Sequence, residues 1–231
     1  MRNIAIIPAR SGSKGLKDKN IKMLDGKPLI SYSIQAALQS GCFEEVMVST
    51  DSEHYAEIAQ IHGASVPFLR SAEMSSDSAS SWDSVREVLK NYLQLGQSFD
   101  NVMLLQPTSP LRTSDDIINA FDLFFNKKAE SVVGVCEMEH SPLWSNVLPE
   151  DGNLFGFLHE AVSGVSGRQG LPTYYRINGA IYLTKINYND LKFNLFTAKG
   201  YAYCMPRERS LDIDELFDFS VAETVIRLMK L

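Results

Sequence analysis

Two stretches carry side chains that can do chemistry together. The first, "IIPARSGSKGLKDKN" (6–20), sets Arg10, Lys14, Lys17 and Lys19 in a loop of small residues, with Lys22 just beyond and Asp18 as its single carboxylate. Gly12 and Gly15 allow unusual backbone angles and close approach of amide N–H groups to an anion. Cations gathered around such a loop neutralise a polyphosphate. The second stretch, "SLDID" (210–214), holds Asp212 and Asp214 two residues apart, on one side of an extended backbone. Paired carboxylates suit Mg²⁺, which takes oxygen ligands. Asp214 equally suits the N-cap of the helix that follows. Any one of the lysines is by itself an ordinary solvated side chain; the cluster and the acidic pair together point to metal-assisted polyphosphate chemistry.

Two familiar phosphate motifs are missing. "GSKGLKDKN" does not supply the Gly-x₄-Gly-Lys-Ser/Thr of a P-loop, and Gly12 with Gly15 gives only GxxG where a dinucleotide site has GxGxxG. An NAD-dependent enzyme is therefore disfavoured.

The elements that position these residues alternate. "NIAIIP" (3–8), "EVMVST" (45–50), "NVMLLQ" (101–106) and "SVVGVCEME" (131–139) predict buried strands. "ASVPFLR" (64–70) predicts a weaker one, confined by Pro67 to an edge or bend. Helical periodicity falls at 29–41, 51–63, 80–96 and 114–128, between the strands. This rhythm predicts an α/β fold with a mostly parallel sheet covered on both faces. In such sheets ligands sit at the carboxyl ends of the strands, and phosphate sits after the first. From 140 to 178 the rhythm breaks into a segment rich in Gly, Pro, Ser and aromatics. It resumes with "GAIYLTK" (179–185), "GYAYCMP" (200–206) and a last helix. The expected organisation is one α/β domain over 1–139 and 179–231, with an excursion over 140–178.

Bulk composition narrows the partners. Twenty-eight acidic residues against 22 basic give a net charge of −6, which argues against a general nucleic-acid or anionic-membrane surface. No stretch approaches the ~20 apolar residues of a membrane span. Cys42, Cys136 and Cys204 are far apart, sit in apolar contexts and lack metal-ligand spacing, so they read as buried free thiols of a reducing compartment, the cytoplasm by default.

Four stretches together resemble the CMP-sialic acid synthetases, the acylneuraminate cytidylyltransferases: "IIPARSGSKGLKDKN", "LLQPTSPLR" (104–112), "RQGLPTYYRINGAIY" (168–182) and "SLDID". The resemblance runs from end to end of the chain, in order. It implies a Rossmann-like nucleotidyltransferase fold that joins CTP to a nine-carbon 2-keto sugar acid (a nonulosonic acid), with Mg²⁺ as cofactor and pyrophosphate released. It also implies a homodimer, the 140–178 excursion forming a dimerisation lobe that reaches the partner's sugar site. Position by position, Arg10 and the amides from Ser11 through Gly12 to Gly15 would bind the triphosphate. Lys19 would offset charge near the reacting phosphate and Asn20 would hold the nucleotide. Arg70 and Ser81 match positions that contact base or ribose. Gln106, assisted by Ser109, would bind the sugar acid together with Arg168 and Gln169, and Asp212 and Asp214 would hold the metal. The competing local roles are surface ion pairs for Arg70 and Arg112 and a helix cap for Ser81. An eight-carbon 3-deoxy acid as substrate, or a non-catalytic nucleotide-binding protein on this fold, are the alternatives.

Overall fold

The structure is a computed structural model that describes residues 1–12, 15–76, 79–158 and 170–229. The first strand, β1 (Asn3–Pro8), is buried on both faces: Ile4, Ala5, Ile6 and Ile7 all have no exposed surface. Its alternating side chains feed two separate cores. Ala5 and Ile7 pack beneath α1 (Leu29–Ser40) and α2 (Glu53–Ile61), while Ile4 and Ile6 pack beneath α3 (Ser81–Gln94).

Strand β1 pairs in parallel with β4 (Glu45–Ser49) on one side and β5 (Asn101–Leu104) on the other. A two-residue hairpin, β2 (Met23–Leu24) with β3 (Lys27–Pro28), lies between β1 and α1. Beyond β5 come α4 (Ser114–Asn126), β6 (Ser131–Glu137), β7 (Tyr175–Lys185), β8 (Gly200–Cys204) and α5 (Leu216–Met229). The six-stranded sheet has the order β4-β1-β5-β7-β6-β8, and β7 runs antiparallel to both neighbours while the other five strands share one direction. The chain goes to β4 on one side of β1 and later returns to β5 on the other. The gap between the β1 and β5 carboxyl ends is therefore the switch point where an open α/β sheet takes its ligand.

Helix starts follow the sequence closely. Ser80 and Thr113 are N-caps of complete capping boxes, with Asp83 and Asp116 as the reciprocating carboxylates. Gly41 ends α1 in the left-handed conformation. A third small core, under α5, includes Leu24, Leu29, Phe219 and the fully buried Ile213.

Two sequence expectations need correcting. The 64–70 strand is reduced to one bridge, Met47 to Ser65, and the rest is a loop delivering Arg70; Pro67 removes the donor a ladder needs. The sheet also resumes at Tyr175 rather than 179. The register of β7 against β6 jumps between Val133↔Tyr182 and Val135↔Ile177, at a bulge where Gly179 has φ +76°. That bulge hides the strand's first four residues from a period-two reading. The excursion is accordingly 138–174, of which 138–158 and 170–174 are described; it exposes Val147, Leu148, Leu154, Leu158 and Phe155, the last 99% exposed. Among the described residues no helix is long and apolar enough to cross a membrane.

Candidate functional site

At the β1/β5 switch point a cleft of about 390 Å³ is lined by Arg10, Gly15, Lys19, Asn20, Arg70, Ser81, Gln106 and Asp214, with Met74, Ser80, Ser84 and Thr108 among the other wall residues. Eight positions singled out in the sequence thus meet in one place. The loop after β1 brings four of them, the loop between α2 and α3 brings Arg70, the loop after β5 brings Gln106, α3 brings Ser81, and the segment before α5 brings Asp214.

The first loop is held from several directions. Ala9 N–H donates to the Ser49 carbonyl at 2.8 Å, carrying the β1–β4 ladder one residue past the strand. Asn20 Nδ2 donates to the Arg10 carbonyl at 3.1 Å, so the buried Asn20 shapes the loop from within. Ser11 turns both its N–H and its hydroxyl to Asp51, at 2.8 and 2.9 Å. The Ser11 amide is thereby committed inside the protein. Gly12 is exposed, and a methyl group there would meet nothing within 4 Å.

Arg70 and Arg112 are not surface ion pairs. Arg70 is buried, donating from Nη2 to the Ser49 carbonyl at 2.7 Å and from Nε to Ser49 Oγ at 3.0 Å. Burial lowers its pKa and Arg10 adds to that, while Asp51 and Glu87 oppose it. Arg112 is buried more deeply; it reaches the Ala180 carbonyl at 2.8 Å, Ser33 Oγ at 2.6 Å and the Gln106 carbonyl at 3.4 Å. Burial brings its guanidinium down to about 10, still a cation at neutral pH. Its function is to bolt the Gln106 backbone to β7 and α1. Ser109 is fully buried with no surface in the cleft, and its hydroxyl has no partner among the described residues. Ser81 begins α3 one residue after the true cap, Ser80, which leaves its side chain on the cleft wall.

The acidic segment is positioned from both ends. Arg209 forks onto the buried Asp116 at 2.9 and 3.1 Å, Asn178 Nδ2 donates to Ser210 Oγ at 2.9 Å, and Arg176 donates to the Ser210 carbonyl at 3.1 Å. Ile213 N–H donates to the Thr108 carbonyl at 2.9 Å. Asp218 rather than Asp214 receives the helix-start amides, from Asp214 and Glu215 at 2.9 and 2.8 Å. Asp214 is consequently free of a capping duty and faces Lys19.

Asp212 is the more buried carboxylate of the pair. Its Oδ1 is buried with no partner among the described residues. Burial, and then the Asp214 charge, push its carboxyl above the usual range, against a Thr108 hydrogen bond and the charges of Lys19 and Arg176. A methyl at Gly179 would sit 2.5 Å from Gln106 Oε1 and 3.8 Å from Asp212 Oδ2, so Gln106 and Asp212 are neighbours across that glycine. The described residues contain no group of three or more His, Cys, Asp or Glu arranged to hold a metal. Two carboxylates therefore fit Mg²⁺ only if ligand oxygens and water complete its shell, the usual arrangement for this ion beside phosphates. Arg168 and Gln169 lie outside the described residues.

Asp51, Asp116, Arg176 and Asn178 went unassigned in the sequence, and Arg112 was read only as a surface ion pair. Asp51 alone carried a signal, as a carboxylate just past the end of a parallel strand.

A family model described as cytidylyltransferase matches residues 4–151. An N-acylneuraminate cytidylyltransferase of Streptococcus agalactiae serotype V is 41% identical over 223 residues, 95% of this chain and 52% of its own length. The chain thus spans about half of that relative. A CMP-N,N'-diacetyllegionaminic acid synthase of Legionella pneumophila is 36% identical, covering 99% of this chain and 97% of its own. Among solved structures, CMP:2-keto-3-deoxy-manno-octonic acid synthetase complexed with CTP superposes with a TM-score of 0.73 at 17% identity, over 100% of both chains. That likeness bears out the fold class.

Proposed function

The chain belongs to the cytidylyltransferase family, and from that premise we propose that it transfers the cytidylyl group of CTP to a nine-carbon 2-keto-3-deoxy sugar acid, releasing pyrophosphate. The observation that carries this reading is the single cleft in which the first-loop cations face Gln106 and Asp214 across the β1/β5 switch point. The names of the streptococcal and Legionella relatives, an N-acylneuraminate and a legionaminic acid enzyme, support a nine-carbon acid.

In this reading CTP lies with its triphosphate over the loop of Arg10, Gly15, Lys19 and Asn20. Its nucleoside lies toward Arg70 and Ser81. The sugar acid enters beside Gln106, and its anomeric hydroxyl attacks the α-phosphorus in line. Phosphoryl transfer needs little covalent help; positioning and charge stabilisation supply most of the acceleration. Arg10 and Lys19 offset charge that grows on the triphosphate. Gln106 orients the sugar acid, its backbone fixed by Arg112. Mg²⁺ on Asp212 and Asp214 would, when bound, screen and polarise the phosphate oxygens.

The excursion supports a homodimer, since the apolar side chains from Val147 to Leu158 are too exposed for a segment facing water alone. Arg168 and Gln169 belong to the same excursion and are assigned to sugar-acid recognition on the resemblance. A cytoplasmic setting fits the free cysteines, of which only Cys136 is buried as expected, Cys42 being half-buried and Cys204 exposed at the end of β8.

The test is pyrophosphate release with CTP and Mg²⁺ against N-acetylneuraminic, legionaminic and pseudaminic acids and the eight-carbon 3-deoxy acid, with the other nucleoside triphosphates as controls. Release with CTP and one nine-carbon acid supports the proposal and names the substrate. Release only with the eight-carbon acid, or CTP binding with no turnover on any acid, would overturn it.

A further inference from the structure

Asp51 stands between opposing charges, favoured by the buried Arg70 cation and opposed by any polyanion on the first loop. It lies two residues past the end of β4, beside that loop. Its contacts account for it. Oδ1 accepts the Ser11 N–H at 2.8 Å and Oδ2 accepts the Ser11 hydroxyl at 2.9 Å, so both oxygens accept from one residue. The Arg10 carbonyl is meanwhile held by Asn20 at 3.1 Å. The peptide joining Arg10 to Ser11 is thus fixed on both its carbonyl and its amide side, and the direction in which Arg10 leaves the backbone is set.

The far end of the loop is tied to the same neighbourhood. Tyr55, in the first turn of α2, donates its hydroxyl to Asp18 Oδ1 at 3.1 Å, and Asp18 holds a left-handed backbone with φ 53°. Such a conformation disfavours a residue with a Cβ and persists where its surroundings impose it. The β4–α2 junction therefore grips the first loop at Ser11 and at Asp18, either side of its glycines.

We propose that Asp51 is a positioning residue for the nucleotide: its hydrogen bonds to Ser11 hold the first loop in the shape that binds the triphosphate, and this geometric service outweighs the charge it places there. The inference rests on the reading of the cleft as a CTP site.

Two conservative variants separate geometry from charge. Asp51→Asn keeps both contacts, its oxygen accepting the Ser11 N–H and its NH₂ donating to Ser11 Oγ, and removes the charge. Asp51→Glu keeps the charge and displaces the oxygens by one methylene. Calorimetric titration with CTP and Mg²⁺, alongside steady-state kinetics, is run on both variants and on the wild type. The expected result is D51N within about threefold of the wild-type dissociation constant, and D51E at least tenfold weaker. In D51E the loss is expected to fall on KM for CTP, with KM for the sugar acid unchanged. D51E binding as tightly as wild type, or D51N weakening as much as D51E, would overturn the inference. A wild-type protein that does not bind CTP would instead overturn the reading of the cleft, so the two failures are distinguishable.

Discussion

Lys19 Nζ lies 2.7 Å from the Ile213 carbonyl and 3.1 Å from Asp214 Oδ1, joining the first loop to the last across 195 positions of sequence. The cation proposed for the triphosphate and the acid proposed for the metal are thus in direct contact.

Lys19→Met should lower kcat by about 10²–10³, the usual loss when one preorganised charge donor is removed from a developing negative charge. Asp214 keeps 75% of its side chain exposed, so the ion pair itself adds little to stability, roughly 0–1 kcal/mol. The melting temperature should fall by no more than the lost Ile213 carbonyl hydrogen bond accounts for, about 1–3 kcal/mol of stability, while turnover falls by orders of magnitude. A larger loss of stability would show that Lys19 is chiefly structural.

Asp212→Asn should abolish turnover and yet stabilise the protein. The Asp212 carboxyl is raised above its ordinary value of 3.8, chiefly by burial. The folded state therefore holds this proton more tightly than the unfolded chain. Stability is lost as pH rises from about 4 through the raised value, and the deficit persists at neutral pH. An amide has no such deficit. The melting temperature of D212N at pH 7 should exceed wild type, and Mg²⁺ with CTP should stabilise the wild type more. A D212N protein that turns over normally would sink the metal assignment.

Asp116→Ala removes partners from Thr113, Tyr203 and Arg209 at once, and leaves the Arg209 guanidinium unpaired. Breaking a buried pair from one side costs about 3–5 kcal/mol, to be read by urea denaturation. Burial pushes the Asp116 carboxyl up, but the Arg209 and Thr113 hydrogen bonds prevail and hold it below 3.8. Its contribution is complete above about pH 4 and is lost as pH falls through the depressed value. Acid denaturation of Asp116→Asn should accordingly be less steep below pH 4 than that of the wild type.

Gly179→Ala would set a methyl 2.5 Å from Gln106 Oε1, at a φ of +76° that already disfavours a side chain. Gln106 must move, so KM for the sugar acid should rise at least tenfold while CTP affinity stays near wild type. Equal losses for both ligands would instead indicate a general disturbance of β7.

Much of this was legible in local chemistry. The alternation of strands and helices, the Gly41 stop and the cluster of cations after β1 are all properties of a few consecutive residues, and each settles within a turn or a strand; the α3 cap fell one residue from the expected Ser81, on Ser80. The motif "RINGAIY" (176–182) was legible as a family signature, but not in its physical parts. Arg176 and Asn178 tether the acidic segment through Ser210, and Gly179 makes room for Gln106.

What only the tertiary structure decided was which charges become neighbours. The sequence left Arg70 open between a nucleotide contact and a surface ion pair, and Arg112 as no more than a surface ion pair; both turn inward onto backbone carbonyls because the loops that bear them fold over the sheet's carboxyl edge. Asp51 meets Ser11 because β4 lies parallel to β1 in register, Pro8 beside Ser49. Asp212 reaches Gln106 because β7 inserts antiparallel between β5 and β6 and brings its bulge beneath both. The sequence by itself determined the elements and the inventory of charges, since period and capping act between residues a few positions apart. Sheet order and register set the partners, through pairings of residues 40 to 195 positions apart that no local pattern encodes.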